Sequence, residues 1–552
     1  MRPQAFIGAF SLLGIGIAAA QNCTFQSITP STNLVWCRCE GPFYCAKLDV
    51  PLDYLNPQLG RASVPLMKLP ADPASQNGPY RGMILINPGG PGGSGIELAR
   101  SSAIQIQPIL GSNYDIVGFD PRGIGLSEPR ASCSAGNSTR RRKTRNVPRL
   151  GDAFYNERIE IYKDIGERCQ ATIGADTAAG PHMTTATTAR DMLSIVEAFA
   201  ATPDGARAAL NSSQLNYYGI SYGTFLGQTF ASMFPDRVGH VALDAVLSPE
   251  GYQENGTYPN MNHVDGILGA FFIYCHAAGP GYCAYYTGDT PMNIFERWNA
   301  SFSQLDARTA EAEGWENATE IASALRVFKD GILSVAIEPL ASFGIIAPAL
   351  VRLEQALDGG YLAVWTEQVK LLLGESEDAE VLDGNLEQNI GVTCSDQKNR
   401  LYGKSLEDLR PLIKQLEDQS VIGEIWATVA LSCTGWSISS NDVFEGPYGG
   451  NTSYPLLFVS NTFDPTTPIE NAIANAPKFR NSRRLTIDGL GHNSFTTDNL
   501  CGFEAIRSYF QDKMCGREHY CPLEIGPFGV QLNGTIQQNL ETAGLARIRD
   551  LY

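Results

Sequence analysis

The sequence is short of positive charge, of metal-ligand spacings and of membrane-length apolar runs, and each lack removes a class of function. Lysine and arginine number 41 against 58 aspartates and glutamates, for a formal net charge of −17. A surface of that sign repels phosphate, so nucleic acid is excluded as a partner. The 6 histidines are scattered and the cysteines form no pair of Cys-x-x-Cys spacings, which argues against zinc. The glycine-rich stretch LINPGGPGGSG (85–95) is not followed by Gly-Lys-Ser/Thr, so a nucleotide-phosphate loop is disfavoured. Beyond the N-terminal leader no stretch reads as both long and apolar enough for the ~20 residues a bilayer span requires. Internal repeats and low-complexity segments are absent, and nothing implies a metal or organic cofactor. Charged residues make up 18% of the chain, below the roughly 25% usual for soluble domains.

What is present points outward from the cell. Arg2 is followed by an apolar run (5–17) and by Ala18-Ala19-Ala20, the pattern of a secretory leader over residues 1–20 with Gln21 as the mature N-terminus. Eight Asn-x-Ser/Thr sequons occur, at Asn22, Asn137, Asn211, Asn255, Asn299, Asn317, Asn451 and Asn533. The 13 cysteines cluster locally, at Cys23, Cys37, Cys39 and Cys45, at Cys275 and Cys283, and at Cys501, Cys515 and Cys521. In an oxidising compartment such clusters read as disulfides, and the odd total leaves at least one thiol free or joined to another chain. The basic run TRRRKTRNVPR (139–149) reads as an exposed, solvated loop, with a processing site or docking patch as the alternative.

Periodicity divides the chain. CAKLDVPLDY and ASVPLMKLP have the alternation of an antiparallel hairpin. Short apolar runs at 82–86, 114–119, 215–218 and 240–243 suit buried parallel strands, and 187–200 repeats apolar residues at helical spacing. From Pro249 to about Val443 the pattern is helical, and strand signals return at 456–460 and 485–487. The expected class is α/β, a mostly parallel sheet with helices on both faces and a large helical cap insertion. The expected divisions are a leader at 1–20, core at 21–248, cap at 249–445 and core again at 446–552.

The sharpest motif is Gly219-Ile220-Ser221-Tyr222-Gly223, a Gly-x-Ser-x-Gly between an expected strand and an expected helix (222–234). A serine on so tight a turn projects its hydroxyl above the sheet edge, as a nucleophile must. It needs a base and an orienting acid. His492, in the glycine-rich IDGLGHNSF, and Asp464, just past the strand in LLFVSNTFDPTTP, complete the order Ser, Asp, His of the α/β-hydrolase triad. His182 is the competing base, and Asp464 could instead cap the turn before Pro465. Glycines after the strand at 82–86 let bare backbone approach a tetrahedral intermediate. The oxyanion donors expected are the N–H groups of Gly90 and Tyr222, with Gly89 the next choice.

The set INPGGPGGSG, VGFDPRGIGLSEP, YYGISYGT, FVSNTFDPTTP and GLGHNSF, with VTCSDQ and LSCTGW, resembles the S33 serine peptidases of the α/β-hydrolases. Within them it is most similar to the secreted prolyl and tripeptidyl aminopeptidases with a TAP-like C-terminal region. A typical member opens this loop with His-Gly-Gly-Pro-Gly, whereas this chain has Asn87-Pro88 before Gly89, as TAP-like members do, which favours them over the classical prolyl enzymes. The resemblance implies release of short N-terminal pieces from peptides through Ser221, Asp464 and His492. It also implies a cap whose carboxylates hold the substrate's free amine, with Glu250, Glu254, Asp265, Glu338 and Glu354 as candidates by region. The same triad serves esterases or lactone hydrolases acting on a small molecule, for instance in secondary metabolism, and a non-catalytic binding scaffold is a third reading. An aspartate-nucleophile epoxide hydrolase is disfavoured by Ser221. Expected partners are thus a peptide or ester substrate, and the oligomeric state is left open.

Overall fold

A computed structural model describes residues 23–133, 150, 152–255, 261–372 and 386–546. The leader at 1–20, Asn22, Asn137 and the arginine run at 140–145 lie outside the described residues, as does the side chain of Asn255.

Among the described residues ten strands form a single sheet: β1 (Cys37–Arg38), β2 (Tyr44–Pro51), β3 (Arg61–Leu69), β4 (Met83–Asn87), β5 (Asp115–Phe119), β6 (Leu215–Ile220), β7 (Val238–Asp244), β8 (Leu457–Phe463), β9 (Arg483–Leu490) and β10 (Glu518–Cys521). Their spatial order is β1-β2-β3-β5-β4-β6-β7-β8-β9-β10. The first three strands and β5 pair antiparallel, and every pair from β5 and β4 to β9 and β10 is parallel. The apolar strand runs are buried on both faces because side chains alternate. Leu85 and Tyr217 meet Met192, Val196 and Phe230 of the helices Thr185–Ala200 and Tyr222–Met233 on one face. Ile84, Ile86 and Tyr218 meet Ile96, Ala103 and Ile506 of the helices Gly95–Leu110 and Leu500–Phe510 on the other. The two edge strands escaped the sequence reading. β1 has two residues and β10 four, three of them exposed, so neither carries an apolar period.

Between β7 and β8 the described residues form helices and connecting turns. Their own core is aromatic, built on Phe271, Phe272, Phe295, Trp298 and Phe328, and it also takes in Phe463 and Leu490 from the ends of β8 and β9. The insertion therefore sits on the edge of the sheet where those strands end. One expectation fails here: helix Pro339–Gly359 is long and apolar enough, by length and composition, to cross a membrane. Its buried row Phe343, Ala347, Leu350, Leu353 and Ala356 lies in the insertion's core.

Six disulfides close local loops: Cys23–Cys37, Cys39–Cys45, Cys133–Cys169, Cys275–Cys283, Cys394–Cys433 and Cys501–Cys521, leaving Cys515 free and exposed. This usage is compatible with an oxidising, extracellular setting. The two places where described residues bring three metal-type ligands together, at Cys501, His519 and Cys521 and at Cys133, Cys169 and Glu387, are both built on disulfide sulfurs. Such sulfurs are not the thiolates a zinc ion needs.

Candidate active site

The strand order reverses about β4, which lies between β5 and β6, and in parallel sheets a crevice opens at such a point beyond the carboxyl ends of the strands. Register places Asn87 of β4 beside Gly219 of β6, so the two loops that leave these strands emerge as neighbours. One is the glycine loop and the other the serine turn.

Ser221 joins β6 to the helix Tyr222–Met233 with φ 58° and ψ −123°. An L residue held there carries strain of ~1–3 kcal/mol. Three contacts offset it: the Ser221 N–H donates to the Asp244 carbonyl at 2.9 Å, and the Thr224 N–H and hydroxyl donate to the Ser221 carbonyl at 2.8 and 2.6 Å. Only glycine fits two places earlier, because a Cβ on Gly219 would lie 2.5 Å from both the Gly223 carbonyl and the Tyr217 ring.

Asp464 follows β8 directly and is fully buried. Its carboxylate accepts from the Thr466 and Thr467 N–H groups at 2.9 and 2.8 Å and from the Thr467 hydroxyl at 2.9 Å. Both oxygens lie 3.0 Å from Nδ1 of His492. Burial pushes the carboxyl upward, but the imidazole and these N–H donors outweigh it and hold Asp464 below the usual carboxylate range. His492 shows the complement: burial pulls it down, and Asp464, then Asp244, raise it above its ordinary value. Hydroxyls of Thr466 and Thr467 approach the same Nδ1 at 2.8 and 3.1 Å. With Nδ1 committed to Asp464, Nε2 is the nitrogen left to act as acceptor. Neither Nε2 nor the Ser221 hydroxyl has a hydrogen-bond partner among the described residues.

The loop carrying His492 is fixed from both sides. Buried Asn461 donates to the carbonyls of Gly491 and Asn493 at 2.8 and 2.6 Å, and the His492 N–H donates to Ile337 of the insertion at 2.9 Å. Asp244, at the end of β7, accepts from the Ser494 N–H and hydroxyl and from the Tyr218 hydroxyl. Burial raises this carboxyl to about 6 against those donors.

The glycine loop lies against the elbow so closely that a Cβ on Gly89 would stand 2.5 Å from the Ile220 carbonyl and 3.0 Å from the Tyr222 nitrogen. Asn87 explains the loop's shape, since its Oδ1 accepts the Gly89 N–H at 2.9 Å. That bond occupies the Gly89 donor. The N–H groups of Gly90 and Tyr222 make no hydrogen bond among the described residues. A cleft of about 820 Å³ borders the loop at Pro88 and Gly93 but includes neither Ser221 nor His492.

The competing base is spent elsewhere, as His182 is buried with its ring nitrogen 2.7 Å from the Asp176 carbonyl. Among the cap acids, Asp265 accepts from Ser420, Glu354 pairs with Arg297 and Glu250 with Lys478. Glu254 and Glu338 are exposed. Sequence reasoning gave no role to Thr466, Thr467, Asp244 or Asn461. The two threonines directly follow Asp464, a spacing that suits side chains turning back on an acid, whereas Asp244 and Asn461 carried no local signal. Asn211, Asn317, Asn451 and Asn533 are exposed and Asn299 is half-buried.

A family model described as alpha/beta hydrolase fold matches residues 82–264, and one described as TAP-like protein matches residues 419–521. The second match opens inside the helical insertion and ends at the last residue of β10. The chain is similar to the tripeptidyl aminopeptidase of Streptomyces coelicolor, 27% identical over 85% of this chain and 81% of that protein. It is also similar to serine protease Hip1 of Mycobacterium tuberculosis, 26% identical over 85% of each chain. Carboxylesterase B of the same organism is 25% identical over 85% of this chain and 84% of its own length. With the ten-stranded sheet and these matches, the chain is an enzyme of the serine-hydrolase type with the α/β-hydrolase fold, similar over its C-terminal part to the TAP-like proteins.

Proposed function

We propose that this enzyme is a secreted exopeptidase that releases short pieces from peptide N-termini through an acyl-enzyme on Ser221. The observation that carries the reading is the strained elbow at Ser221 set among parallel strand ends that also deliver the 3.0 Å Asp464–His492 pair. His492 Nε2 takes the serine proton as Oγ attacks the carbonyl, and Asp464 holds the tautomer and stabilises the imidazolium. The Gly90 and Tyr222 N–H groups receive the oxyanion, each such donor being worth ~2.7–4 kcal/mol. Protonated His492 then hands its proton to the leaving amine. A water activated by the same imidazole hydrolyses the acyl-enzyme.

The names of two relatives, a tripeptidyl aminopeptidase and a serine protease, support a peptide substrate. Glu338 suits the amine anchor: it is exposed and follows Ile337, the insertion residue bonded to the His492 backbone. The disulfides and the exposed sequons support secretion after removal of residues 1–20, with glycans at exposed asparagines. A second reading, an ester or lactone hydrolase with the same triad, is favoured by the relative named carboxylesterase B.

The test is a panel of tripeptidyl and aminoacyl amides against short-chain esters, run on wild type and on Ser221→Ala. Amide turnover that requires a free amine and disappears in Ser221→Ala with unchanged thermal unfolding supports the reading. Ester preference without need of an amine selects the second, and near-wild-type turnover by Ser221→Ala overturns both.

A further inference from the structure

We propose that the insertion helix Leu386–Asp396 is a clamp that holds both oxyanion donors in register, with Asn389 and Asp396 as its positioning residues. The inference rests on the reading of Gly90 and Tyr222 as donors and goes beyond it by locating what fixes them. One helix reaches both sides of the site. Asn389 donates from Nδ2 to the carbonyl of Pro91, the residue after Gly90, at 2.9 Å. Seven residues on, about two turns and ~10 Å along the axis, Asp396 accepts from the Thr185 N–H at 2.8 Å and from its hydroxyl at 2.6 Å. That hydroxyl is also hydrogen-bonded to the phenol of Tyr222.

Proton counting sets the direction of this chain. Above pH about 7, where Asp396 is ionised, its carboxylate only accepts, so Thr185 spends its one hydroxyl proton on Asp396 and Tyr222 must donate to Thr185. The Tyr222 ring is thereby oriented from the insertion, and its own backbone N–H, at the first turn of the elbow helix, is oriented with it. Tyr252 reinforces the arrangement, its ring packed against that of Tyr222 at 6.0 Å between centroids with a 53° tilt, and its hydroxyl donating to Asp396 at 3.3 Å.

Two features separate this network from ordinary packing. Asp396 is buried with no lysine or arginine on it among the described residues, and burial raises its carboxyl to about 7. A buried carboxyl without a cation costs stability, so the network's return is orientation rather than cohesion. The helix end that carries it is also rigidly held: Cys394 is bonded to Cys433, and Ser395 accepts from the Trp436 indole.

Thr185→Val tests the relay with little change of volume, since it keeps the backbone bond to Asp396 and removes only the bridging hydroxyl. Asn389→Ala tests the other arm. The readout is the second-order rate at which a fluorophosphonate labels Ser221, alongside kcat and KM on the best substrate of the panel and thermal unfolding. Each variant is expected to label and turn over about 10-fold more slowly with KM within about 2-fold, short of the ~10²–10³ that follows loss of a donor outright. Tyr222→Phe added to Thr185→Val is expected to slow labelling no further, because both cut one chain. Labelling within about 2-fold of wild type in the Thr185→Val/Asn389→Ala double variant would overturn the clamp, as would independent losses from Thr185→Val and Tyr222→Phe. Labelling of Ser221→Ala at the wild-type rate would instead overturn the nucleophile assignment.

Discussion

Gly89→Ala is the substitution for which the structure makes the sharpest demand. Gly89 has φ +95°, and a Cβ added there would stand 2.5 Å from the Ile220 carbonyl, 2.9 Å from Ser221 Cβ and 3.0 Å from the Tyr222 nitrogen. The first two are contacts that folded proteins do not tolerate, and all three atoms belong to the elbow, so relief requires the β4 loop and the serine turn to part. The backbone conformation alone costs ~1–3 kcal/mol for a side-chain-bearing residue. Parting the loops also separates the Gly90 N–H from the Tyr222 N–H, so an oxyanion cannot meet both. The expected loss in kcat is therefore that of at least one donor, about 10²–10³-fold, with KM changed far less. Gly78→Ala is the control: its φ of +101° carries the same strain, yet a Cβ there meets nothing within 4 Å. It should lower thermal stability without lowering kcat. Turnover and fluorophosphonate labelling measured beside thermal unfolding separate the two effects. If Gly89→Ala keeps kcat within about tenfold of wild type, the glycine loop is not the oxyanion site.

Two further outcomes follow from the charges around the histidine. As a general base His492 works only when neutral, and Asp464 and Asp244 together raise its pKa above the ordinary 6.5 against the pull of burial. Hence kcat/KM should climb with pH through a midpoint above 6.5. Burial raises Asp244 to about 6, so it is mostly ionised at the midpoint of that climb, and Asp244→Asn should move the midpoint to lower pH. An unmoved midpoint in the pH profile would remove Asp244 from the site's electrostatics. Glu338→Gln should raise KM about tenfold for peptides with a free amine, the scale of one lost charged hydrogen bond. It should leave KM for N-blocked substrates and esters alone, and an equal rise for both classes would refute amine binding at Glu338.

What could be read in advance divides along physical lines. Ser221, Asp464 and His492 each stand in a short motif next to a strongly apolar strand, so both residue and setting are local and visible. The doubly buried strands β4 to β9 were visible for the same reason, because burial on both faces writes an apolar run. Asp244 was not legible. It ends β7 as one acid among 58 acidic side chains, and only the fold brings it against Ser494, 250 residues away in sequence. Gly89 stands next to Gly90 as a donor choice in the sequence, because nothing there tells that the Asn87 side chain turns back two residues to accept the Gly89 N–H. The Asn-Pro opening of the glycine loop thus has a mechanical role beyond marking a family resemblance.

The same distinction bears on the insertion. Its aromatic core and helical periods make it look like a self-contained lid, yet among its polar contacts with the core are two that go to the parts the proposed mechanism needs aligned. Ile337 accepts the backbone N–H of His492, and the helix Leu386–Asp396 holds Pro91 directly and Tyr222 through Thr185. Base, donor loop and elbow are each bonded to it or to a residue it holds. Displacement of the insertion would therefore misalign the proposed base and both proposed donors at once. On the exopeptidase reading, that coupling would tie selectivity for chain ends to rate rather than to binding alone.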